Sequence, residues 1–496
     1  MANSLESYFS KFRKNIIGID QDIQTAFHES IRVVYADWTA SGRNYKVIEE
    51  NLQNKIMPFV ANTHTDTNHT GMAMTYAYHQ AQKVIKKHVN ASSSDVLISS
   101  NSGMTGVVNK FQRILGLKVH ESFKDQVSLT GDDKPVVFIT HMEHHSNQTT
   151  WLETLADVVI IPPANNGLVC PDNFEKEVQK YASRKMKIAS ITGCSNVTGI
   201  RTPYHEIAKI IHKYDGYCFV DFACSAPYVD IDMHPADSDA YLDAIMFSPH
   251  KFLGGPGTSG ILVFNEKLYS NVVPDNPGGG TVEWTNPWGE HMYIENIEAR
   301  EDGGTPSFIQ TIKVAMCISL KEEMGVENIL KREEEQLEMI WEGMGNIPGF
   351  HILASEHKDR LGVISFYFDG LHYIAGVKML NDRFGIQTRG GCSCAGTYGH
   401  YLLNVTPEVS GAITSKINTG DCSTKPGWIR MSIHPSLTND EVKYIIAGIK
   451  ALAENHQDWM NDYDFDLISN AIKPKNSNDA DIIKGLMDDA LAIKSN

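Results

Sequence analysis

The chain has 496 residues, of which 42% are hydrophobic and 21% charged, and these fractions are typical of a globular protein with more than one domain. The 44 Lys and Arg against 60 Asp and Glu give a net charge of −16, which disfavours binding to nucleic acid or to an anionic membrane. No apolar run is long enough to span a bilayer, and residues 1–20 lack the apolar core of a secretory signal. The eight cysteines follow no disulfide pattern, so we expect a cytoplasmic protein with reduced thiols.

Short apolar strands alternate with amphipathic helices between residues 95 and 264, which is typical of parallel βαβ units. The predicted strands are 95–99, 136–139, 157–161, 188–192, 218–221 and 260–264. The predicted helices are 104–115, 172–187 and 204–214. In such sheets the ligand site lies beyond the carboxyl ends of the strands, so the polar residues that follow each strand are candidates for it.

The second half of the chain has a different pattern of predicted elements. The predicted segments are a long functional loop at 275–306, helices over 307–345, a strand at 363–368, a polar inserted loop at 404–426, a strand at 427–433, a helix at 439–454, and an acidic tail with a helix near 481–493.

Residues 99–106 read S-S-N-S-G-M-T-G and lie between a predicted strand and a predicted helix. Small residues let backbone N–H groups approach an anion, and a helix N-terminus favours negative charge. Ser102, Gly103, Met104 and Thr105 are therefore candidate phosphate ligands. An ordinary turn with helix-capping serines is the alternative.

Residues 142–147 read M-E-H-H-S-N and follow the next strand. His144 is suited to stack on a flat cofactor ring and to move protons near neutral pH. His141 and His145 have H-x-x-x-H spacing, but this spacing aligns two metal ligands only on a helix, and we predict a loop here. A plain polar loop is the remaining alternative.

Two polar residues end later strands. Asn196 could donate a hydrogen bond to a cofactor oxygen or serve as a turn residue before a helix. Asp221 closes an apolar strand, and a buried carboxylate needs a partner. That partner is a protonated pyridine nitrogen, a helix N-terminus or a cationic side chain.

Lys251 lies in the string F-S-P-H-K-F at 247–252, before a Gly-rich turn and an apolar strand. This context suits a lysine that holds pyridoxal 5'-phosphate (PLP) as a Schiff base, with Asp221 pairing the ring nitrogen. Residues 255–260 match G-x-G-x-x-G in letters but lead into a strand, so the helix that a dinucleotide site needs is missing.

These strings, in this order, resemble the class V aminotransferase family of fold-type I PLP enzymes, and most closely its cysteine desulfurase and selenocysteine lyase branch. The resemblance covers about residues 33–452. It implies an α/β protein with a large, mainly parallel-sheet domain and a smaller α+β domain. The expected divisions are an N-terminal segment (1–55) partly packed on the small domain, the large PLP-binding domain (56–305), the small domain (306–457) and an acidic extension (458–496).

Two motifs carry the cofactor roles that the resemblance implies. The string E-H-H-S-N at 143–147 resembles E-H-H-A-N and implies that His144 stacks on the ring. The string S-P-H-K at 248–251 resembles S-x-H-K and implies that Ser248 and His250 contact the phosphate and that Lys251 holds the cofactor.

Three further strings complete the implied cofactor site. The string at 195–199 resembles S-N-V-x-G and carries Asn196. The string at 221–227 resembles D-G-A-Q-A-x-P, so Asp221 pairs the ring nitrogen, and Cys224 stands where the family has a Gln that contacts the ring oxygen. Gly303–Pro306 resembles A-G-T-P, which implies that Thr305 reaches the phosphate of a neighbouring subunit in a homodimer.

Two strings carry the substrate roles that the resemblance implies. The string R-G-G-C-S-C-A at 389–395 resembles R-T-G-H-H-C-A, which implies that Cys394 accepts sulfur and that Cys392 is a second or resolving thiol. The strand at 428–432 implies that Arg430 clamps a substrate carboxylate. Taken alone, the C-x-C pair is equally a reactive pair or two inert loop thiols; half of a metal site is a further alternative, but no second C-x-C or Cys/His pair supports it.

The sequence therefore predicts a PLP enzyme that removes sulfur from L-cysteine, or selenium from L-selenocysteine, and leaves alanine and a persulfide on Cys394. Lys251 would take the substrate α-proton, His144 would relay protons, and Asn196 and Arg430 would bind the substrate. Its expected partners are an amino acid, a second copy of the chain and a sulfur-acceptor protein. The rivals are a class V aminotransferase or β-eliminating C–S lyase without a persulfide, and a non-catalytic scaffold.

Overall fold

The computed structural model describes residues 4–63, 65, 67–345, 347–466, 468–475 and 477–493, so both ends of the chain lie outside the described residues. Its strands are β1 (Asp22–Thr25), β2 (His28–Arg32), β3 (Val34–Tyr35), β4 (Asp95–Ser100), β5 (Val136–Thr140), β6 (Asp157–Ile161), β7 (Lys187–Thr192), β8 (Tyr217–Asp221), β9 (Ala244–Phe247), β10 (Gly260–Asn265), β11 (Val282–Thr285), β12 (His291–Tyr293), β13 (Phe350–Ile352), β14 (Val363–Phe368), β15 (Ile386–Gln387), β16 (Arg389–Gly391), β17 (Trp428–Ser432), β18 (Tyr463–Asp466) and β19 (Ala471–Pro474).

Its α-helices are α1 (Leu5–Arg13), α2 (Lys46–Asn51), α3 (His69–His88), α4 (Gly103–Ile114), α5 (Glu121–Lys124), α6 (His145–Leu152), α7 (Pro171–Gln179), α8 (Tyr204–Lys213), α9 (Ile297–Glu301), α10 (Phe308–Met324), α11 (Val326–Met344), α12 (Tyr373–Phe384), α13 (Gly396–Leu402), α14 (Pro407–Asn418), α15 (Asn439–Trp459) and α16 (Asp479–Leu491). None of these helices is long and apolar enough to cross a membrane.

The central sheet has seven strands in the order β4-β10-β9-β8-β7-β5-β6. The run from β9 to β6 is parallel, as predicted, and its inner strands are buried on both faces. Strand β10 differs, because it pairs antiparallel with both β4 and β9. The segment that joins β9 to β10 contains a 3₁₀ turn but no crossover helix, so the chain turns back instead of crossing over.

One helix and one strand depart from the sequence prediction in this part of the chain. Strand β9 was not predicted, although it leads directly to Lys251. The helix expected at 172–187 ends at Gln179. The chain then turns so that Arg184 bonds to the Lys134 carbonyl oxygen (2.6 Å) and to Asp157 (2.9 Å) before β7 begins.

A second sheet is antiparallel, with four strands in the order β13-β14-β17-β16. A separate apolar cluster fills the space between this sheet and α11, α12 and α15. Strand β14 has the bounds predicted from its alternating pattern. Strand β17 carries Arg430, and β16 places Arg389 directly opposite it.

Two segments predicted as loops contain regular structure. The 404–426 segment holds α14, which begins because the Thr406 side chain caps its N-terminus and Pro407 occupies the first turn. The 275–306 segment holds the β11–β12 hairpin and α9. The acidic tail carries the β18–β19 hairpin before the predicted terminal helix.

The N-terminal segment contacts helices α10 and α15. Tyr8 donates a hydrogen bond to the Glu323 carbonyl oxygen (3.0 Å), and Arg13 pairs with Glu441 of α15 (2.7 Å). Strand β3 then pairs in parallel with β15. This pairing places Asp37 beside the end of β17. The domain divisions at residues 55, 305 and 457 remain predictions.

Candidate active site

A cavity of about 250 Å³ lies at the carboxyl ends of the central strands, where it also meets the second sheet. The predicted site residues that line it are Ser102, Gly103, Met104, Thr105, His144, Asn196, Asp221, Cys224, Ser248, His250, Lys251, Cys394 and Arg430. The lining residues that carry no role in the sequence prediction are Thr39, Ala40, Ser146, Thr192, Cys194, Ala223, Arg389 and Ser393. Cys392 and Thr305 are not among the lining residues.

The N-terminus of α4 forms one wall of the cavity. Gly103 begins the helix with φ +61°, and Ser248 Oγ accepts a hydrogen bond from the Met104 N–H at 2.9 Å. A Cβ on Gly260 would lie 2.2 Å from the Gly103 backbone, so only glycine allows β10 to approach this closely. Thr105 Oγ1 lies 2.6 Å from Ser146 Oγ. Backbone N–H groups and hydroxyls at a helix N-terminus suit a phosphate.

His144 lies at the N-terminus of α6, not in the loop that we predicted. Its Nδ1 accepts a hydrogen bond from the Ser146 N–H (3.1 Å), so the ring proton of the neutral side chain is on Nε2. Burial, reinforced by the nearby Lys251 cation, lowers the pKa of His144 to about 3. The ring is therefore neutral at physiological pH, which suits stacking on an aromatic cofactor.

The other two histidines of this segment bond to different parts of the chain. His141 Nε2 lies 3.0 Å from the Gly167 carbonyl oxygen. His145 Nε2 instead accepts a hydrogen bond from the Gly396 N–H (3.1 Å). Within the described ranges, no three His, Cys, Asp or Glu side chains converge on a position that could hold a metal ion.

Lys251 and Asp221 are two of the buried ionisable groups that line the cavity. Asp221 ends β8, and Lys251 ends the 3₁₀ turn Pro249–Lys251 after β9. Burial lowers the pKa of Lys251, and the negative groups Cys224 and Asp221 oppose that change. Burial raises the pKa of Asp221 to about 6, although the Ala223 N–H at 2.8 Å and Lys251 both hold it down. Lys251 is suited to act as a nucleophile, and Asp221 is suited to pair with a cationic ring nitrogen.

Arg430 belongs to an ion-pair group that sequence reasoning did not assemble. Asp37 Oδ1 accepts from Arg430 at 2.8 Å, and Asp37 Oδ2 accepts from Arg389 Nε at 3.1 Å. Arg430 also donates to the Asn196 carbonyl oxygen (3.2 Å). Two guanidinium groups and one carboxylate leave a net positive charge on this wall, which suits a substrate carboxylate.

The loop with the two thiols is held in an unusual backbone conformation. Ser393 and Cys394 have φ of 52° and 55°, in the left-handed region that non-glycine residues seldom adopt. The Ser393 carbonyl oxygen accepts from Asn196 Nδ2 (2.7 Å), and the Cys394 carbonyl oxygen accepts from the His145 N–H (2.7 Å). These contacts present the exposed Cys394 side chain at the cavity, whereas Cys392 is half-buried outside its lining.

Thr305 is exposed and follows Gly304, which has φ +87°. Its contact with the phosphate of a neighbouring subunit remains a prediction.

Sequence comparison gives relatives over most of the chain. A family model described as "Aminotransferase class-V" matches residues 34–445. A probable cysteine desulfurase of Halalkalibacterium halodurans is 27% identical over 73% of this chain and 84% of its own length. One of Staphylococcus epidermidis is 28% identical over 73% of this chain and 83% of its own length.

Solved structures share the fold. A cysteine desulfurase from Thermococcus onnurineus has a TM-score of 0.72 at 21% identity and covers 90% of this chain and 98% of its own. The cysteine desulfurase CsdA from Escherichia coli has a TM-score of 0.69 at 19% identity, with the same two coverages. The predicted fold class, with its mainly parallel sheet and its second, smaller sheet, is thereby confirmed.

The residues of the cavity fit PLP, the cofactor of this family. A buried lysine faces a buried carboxylate, a neutral histidine lies near them, and a helix N-terminus offers donors for the phosphate. The family model covers far more than half of the chain, and the predicted family and cofactor are both confirmed. The chain belongs to the class V aminotransferase family of PLP-dependent enzymes.

Proposed function

We propose that the protein is a cysteine desulfurase, or the equivalent selenocysteine lyase, that leaves alanine and a persulfide on Cys394. The observation that carries this proposal is that Cys394, exposed on its loop, lines the same cavity as Lys251 and Arg430. The names of the curated relatives and of the solved structures support the same chemistry.

The proposed cofactor contacts follow from the walls of the cavity. Lys251 would hold PLP, Asp221 would pair its ring nitrogen, and His144 would stack on the ring. The phosphate contacts would come from residues 102–105, Ser248 and His250. When bound, PLP supplies an electron sink that weakens the bonds at the substrate α-carbon.

Substrate binding would use the positive wall. Arg430 would bind the substrate carboxylate through its guanidinium, and Asn196 lies next to it. Lys251, whose pKa burial lowers, is suited to take the α-proton as a neutral amine. His144, neutral and with its proton on Nε2, would relay protons beside it.

Sulfur transfer would be the work of Cys394. Its thiolate attacks the substrate sulfur, an S–S bond forms, and the C–S bond breaks with its electron pair left on carbon. That carbon takes a proton and becomes the methyl group of alanine. The net change converts L-cysteine and the Cys394 thiol to alanine and a persulfide on Cys394.

The exposed position of Cys394 also supports the release of sulfur. A sulfur-acceptor protein could bring its own thiol to the persulfide without opening the cavity. We further propose a cytoplasmic homodimer in which Thr305 of each chain reaches the phosphate bound by the other.

The test feeds L-cysteine to the purified protein and measures alanine and protein persulfide together. We expect both products from the wild type and neither from Cys394→Ala. Full alanine production by Cys394→Ala would favour a transaminating or β-eliminating reaction without a persulfide. Absence of the visible absorption of lysine-bound PLP, or its persistence in Lys251→Ala, would contradict the whole proposal.

A further inference from the structure

A buried carboxylate that does not itself line the cavity connects three elements that do. Glu143 is 1% exposed and is not among the lining residues. Its Oε1 accepts hydrogen bonds from the Thr140 N–H (3.2 Å), the Thr140 hydroxyl (2.6 Å) and the Thr192 N–H (2.9 Å). Its Oε2 accepts from Asn147 Nδ2 (2.8 Å). One side chain therefore connects the end of β5, the end of β7 and the first turn of α6.

The orientation of the Asn147 amide follows from its other partners. Asn147 Oδ1 accepts from the Trp151 indole N–H (3.1 Å) and from the Ser190 hydroxyl (2.6 Å). Because an indole N–H can only donate, the Asn147 oxygen faces Trp151 and its NH2 group faces Glu143. Two backbone N–H groups and one amide NH2, none of which can accept, therefore face Glu143, and the space suits a group that only accepts.

These contacts close the turn that carries His144. That turn runs from Thr140 at the end of β5 to Asn147 in α6, and Glu143 bonds to both residues. The bond to Thr192 connects the same turn to β7, where Thr192 lines the cavity beside His144. Without these bonds three buried donors would lack a partner, and the turn would have to move to satisfy them.

We propose that Glu143 is a positioning residue for His144: its carboxylate holds the β5–α6 turn against β7 and thereby sets the orientation of the His144 ring over the cofactor. The inference rests on the proposed function only in placing the His144 ring on PLP. Burial raises the pKa of Glu143 to about 7, although its hydrogen bonds oppose that change, so the tests are made at about pH 8, where the carboxylate predominates.

The first experiment measures the visible circular dichroism of the PLP-loaded protein per bound PLP, a signal that depends on how the ring is held. In Glu143→Gln the new NH2 group must face either Asn147 NH2 or the backbone donors of β5 and β7, so donors oppose each other. We expect this variant to lose the signal to the same extent as His144→Ala. Its kcat with L-cysteine should fall about tenfold or more, with a smaller change in KM, because small misplacements of a reacting group are costly.

The second experiment restores the hydrogen bonds with the groups exchanged. In Glu143→Gln/Asn147→Asp the new amide oxygen accepts from the backbone donors, and the new NH2 group donates to the introduced carboxylate. The other carboxylate oxygen still accepts from Trp151. We expect the signal to return close to that of the wild type. The control Glu143→Gln/Asn147→Ala offers no acceptor to the new NH2 group and should stay as low as Glu143→Gln.

Asp243→Asn is the matched control for loss of a buried carboxylate elsewhere. Asp243 is 4% exposed, accepts the Cys218 N–H near the start of β8 (2.8 Å) and does not line the cavity. This variant should lower the midpoint of thermal unfolding and leave the signal per bound PLP unchanged. An equal loss of signal in Asp243→Asn and Glu143→Gln would show a general effect of destabilisation and would overturn the inference.

A wild-type signal in Glu143→Gln, or no recovery in Glu143→Gln/Asn147→Asp, would also overturn it. If Glu143→Gln does not fold, Thr140→Val decides in its place, because it keeps the size of the side chain and removes the hydroxyl that bonds to Glu143; a wild-type signal there would contradict the inference. None of the dichroism measurements needs turnover of cysteine. An unchanged signal in His144→Ala would instead contradict the proposed stacking, and the inference with it, whereas the persulfide on Cys394 is tested separately.

Discussion

Asp37 and Arg430 form an ion pair of 2.8 Å in the wall of the cavity, although 393 positions separate them in the chain. Asp37 also bonds to Arg389, so one carboxylate orients two guanidinium groups that line the same space. The parallel pairing of β3 with β15 brings Asp37 to this place. The contact therefore links the N-terminal segment to the proposed substrate site.

Asp37→Asn should weaken substrate binding more than it slows chemistry. The amide keeps the size of the side chain but loses the charge that fixes Arg430, and a hydrogen bond between charged groups is worth about 1.5–3 kcal/mol. We expect the KM for L-cysteine to rise about tenfold or more, with a smaller change in kcat. Steady-state kinetics of the variant provide the measurement.

The control for this prediction is Asp20→Asn, which breaks an exposed ion pair with Arg32, and neither residue lines the cavity. It should leave KM unchanged, because exposed pairs contribute little. Equal effects of the two substitutions would show that Asp37 does not act through Arg430.

Ser248→Ala should weaken the retention of PLP. Ser248 Oγ accepts the Met104 N–H at the start of α4, and its hydroxyl faces the proposed phosphate site. Loss of one hydrogen bond to a charged phosphate should raise the dissociation constant of PLP about tenfold, as measured by equilibrium dialysis. Ser319→Ala, which removes only a surface hydroxyl bonded to Ala315 on α10, should retain PLP like the wild type.

Glu333→Gln should change how stability depends on pH. The Glu333 carboxyl is 2% exposed, has no well-aligned hydrogen-bond donor among the described residues, and has its pKa raised by burial from 4.5 to about 8. A carboxyl with a raised pKa stabilises the fold fully below about pH 4.5, and this stabilisation is lost as pH rises to about 8.

Relative to Glu333→Gln, the wild type should therefore lose roughly 1.4 kcal/mol of unfolding free energy per pH unit within this window. Urea unfolding at several pH values measures the difference. Glu334→Gln, on the exposed face of the same helix, should run parallel to the wild type. A constant difference between Glu333→Gln and the wild type at all pH values would contradict the assignment.

Cys392→Ala should retain most of the desulfurase activity. Its thiol is half-buried outside the cavity lining, whereas the neighbouring Cys394 is exposed at the cavity. Rates of alanine formation with L-cysteine, in the presence of a thiol reductant, give the comparison. A loss as large as that of Cys394→Ala would show that sulfur transfer requires both thiols.

The parts of the site that could be predicted from sequence are those at the ends of buried strands. Asp221 ends β8, and Lys251 and His144 follow β9 and β5 within a few residues, so short strings were enough to identify them. Asp37 and Cys194 could not be found in this way. Asp37 reaches the site only through pairing between distant segments, and Cys194 is a buried thiol that no recognisable string singles out.

In the fold, too, local patterns could be predicted from sequence, whereas the pairing of distant segments could not. Apolar runs predicted most strands of the central sheet, but a strand buried on both faces has the same pattern in either direction, so the antiparallel β10 could not be recognised. Helix α14 was missed because none of its described residues is buried, and its sequence has little of the periodicity that marks a core-facing helix.

The central claim is that Cys394 takes sulfur from an amino acid held over Lys251. The most direct measurement is a single turnover of L-cysteine without reductant, followed by mass spectrometry of the peptide that contains residues 389–395. We predict one added sulfur atom on Cys394 and one alanine released per chain. Alanine or pyruvate formed in that amount with Cys394 unmodified would contradict the account.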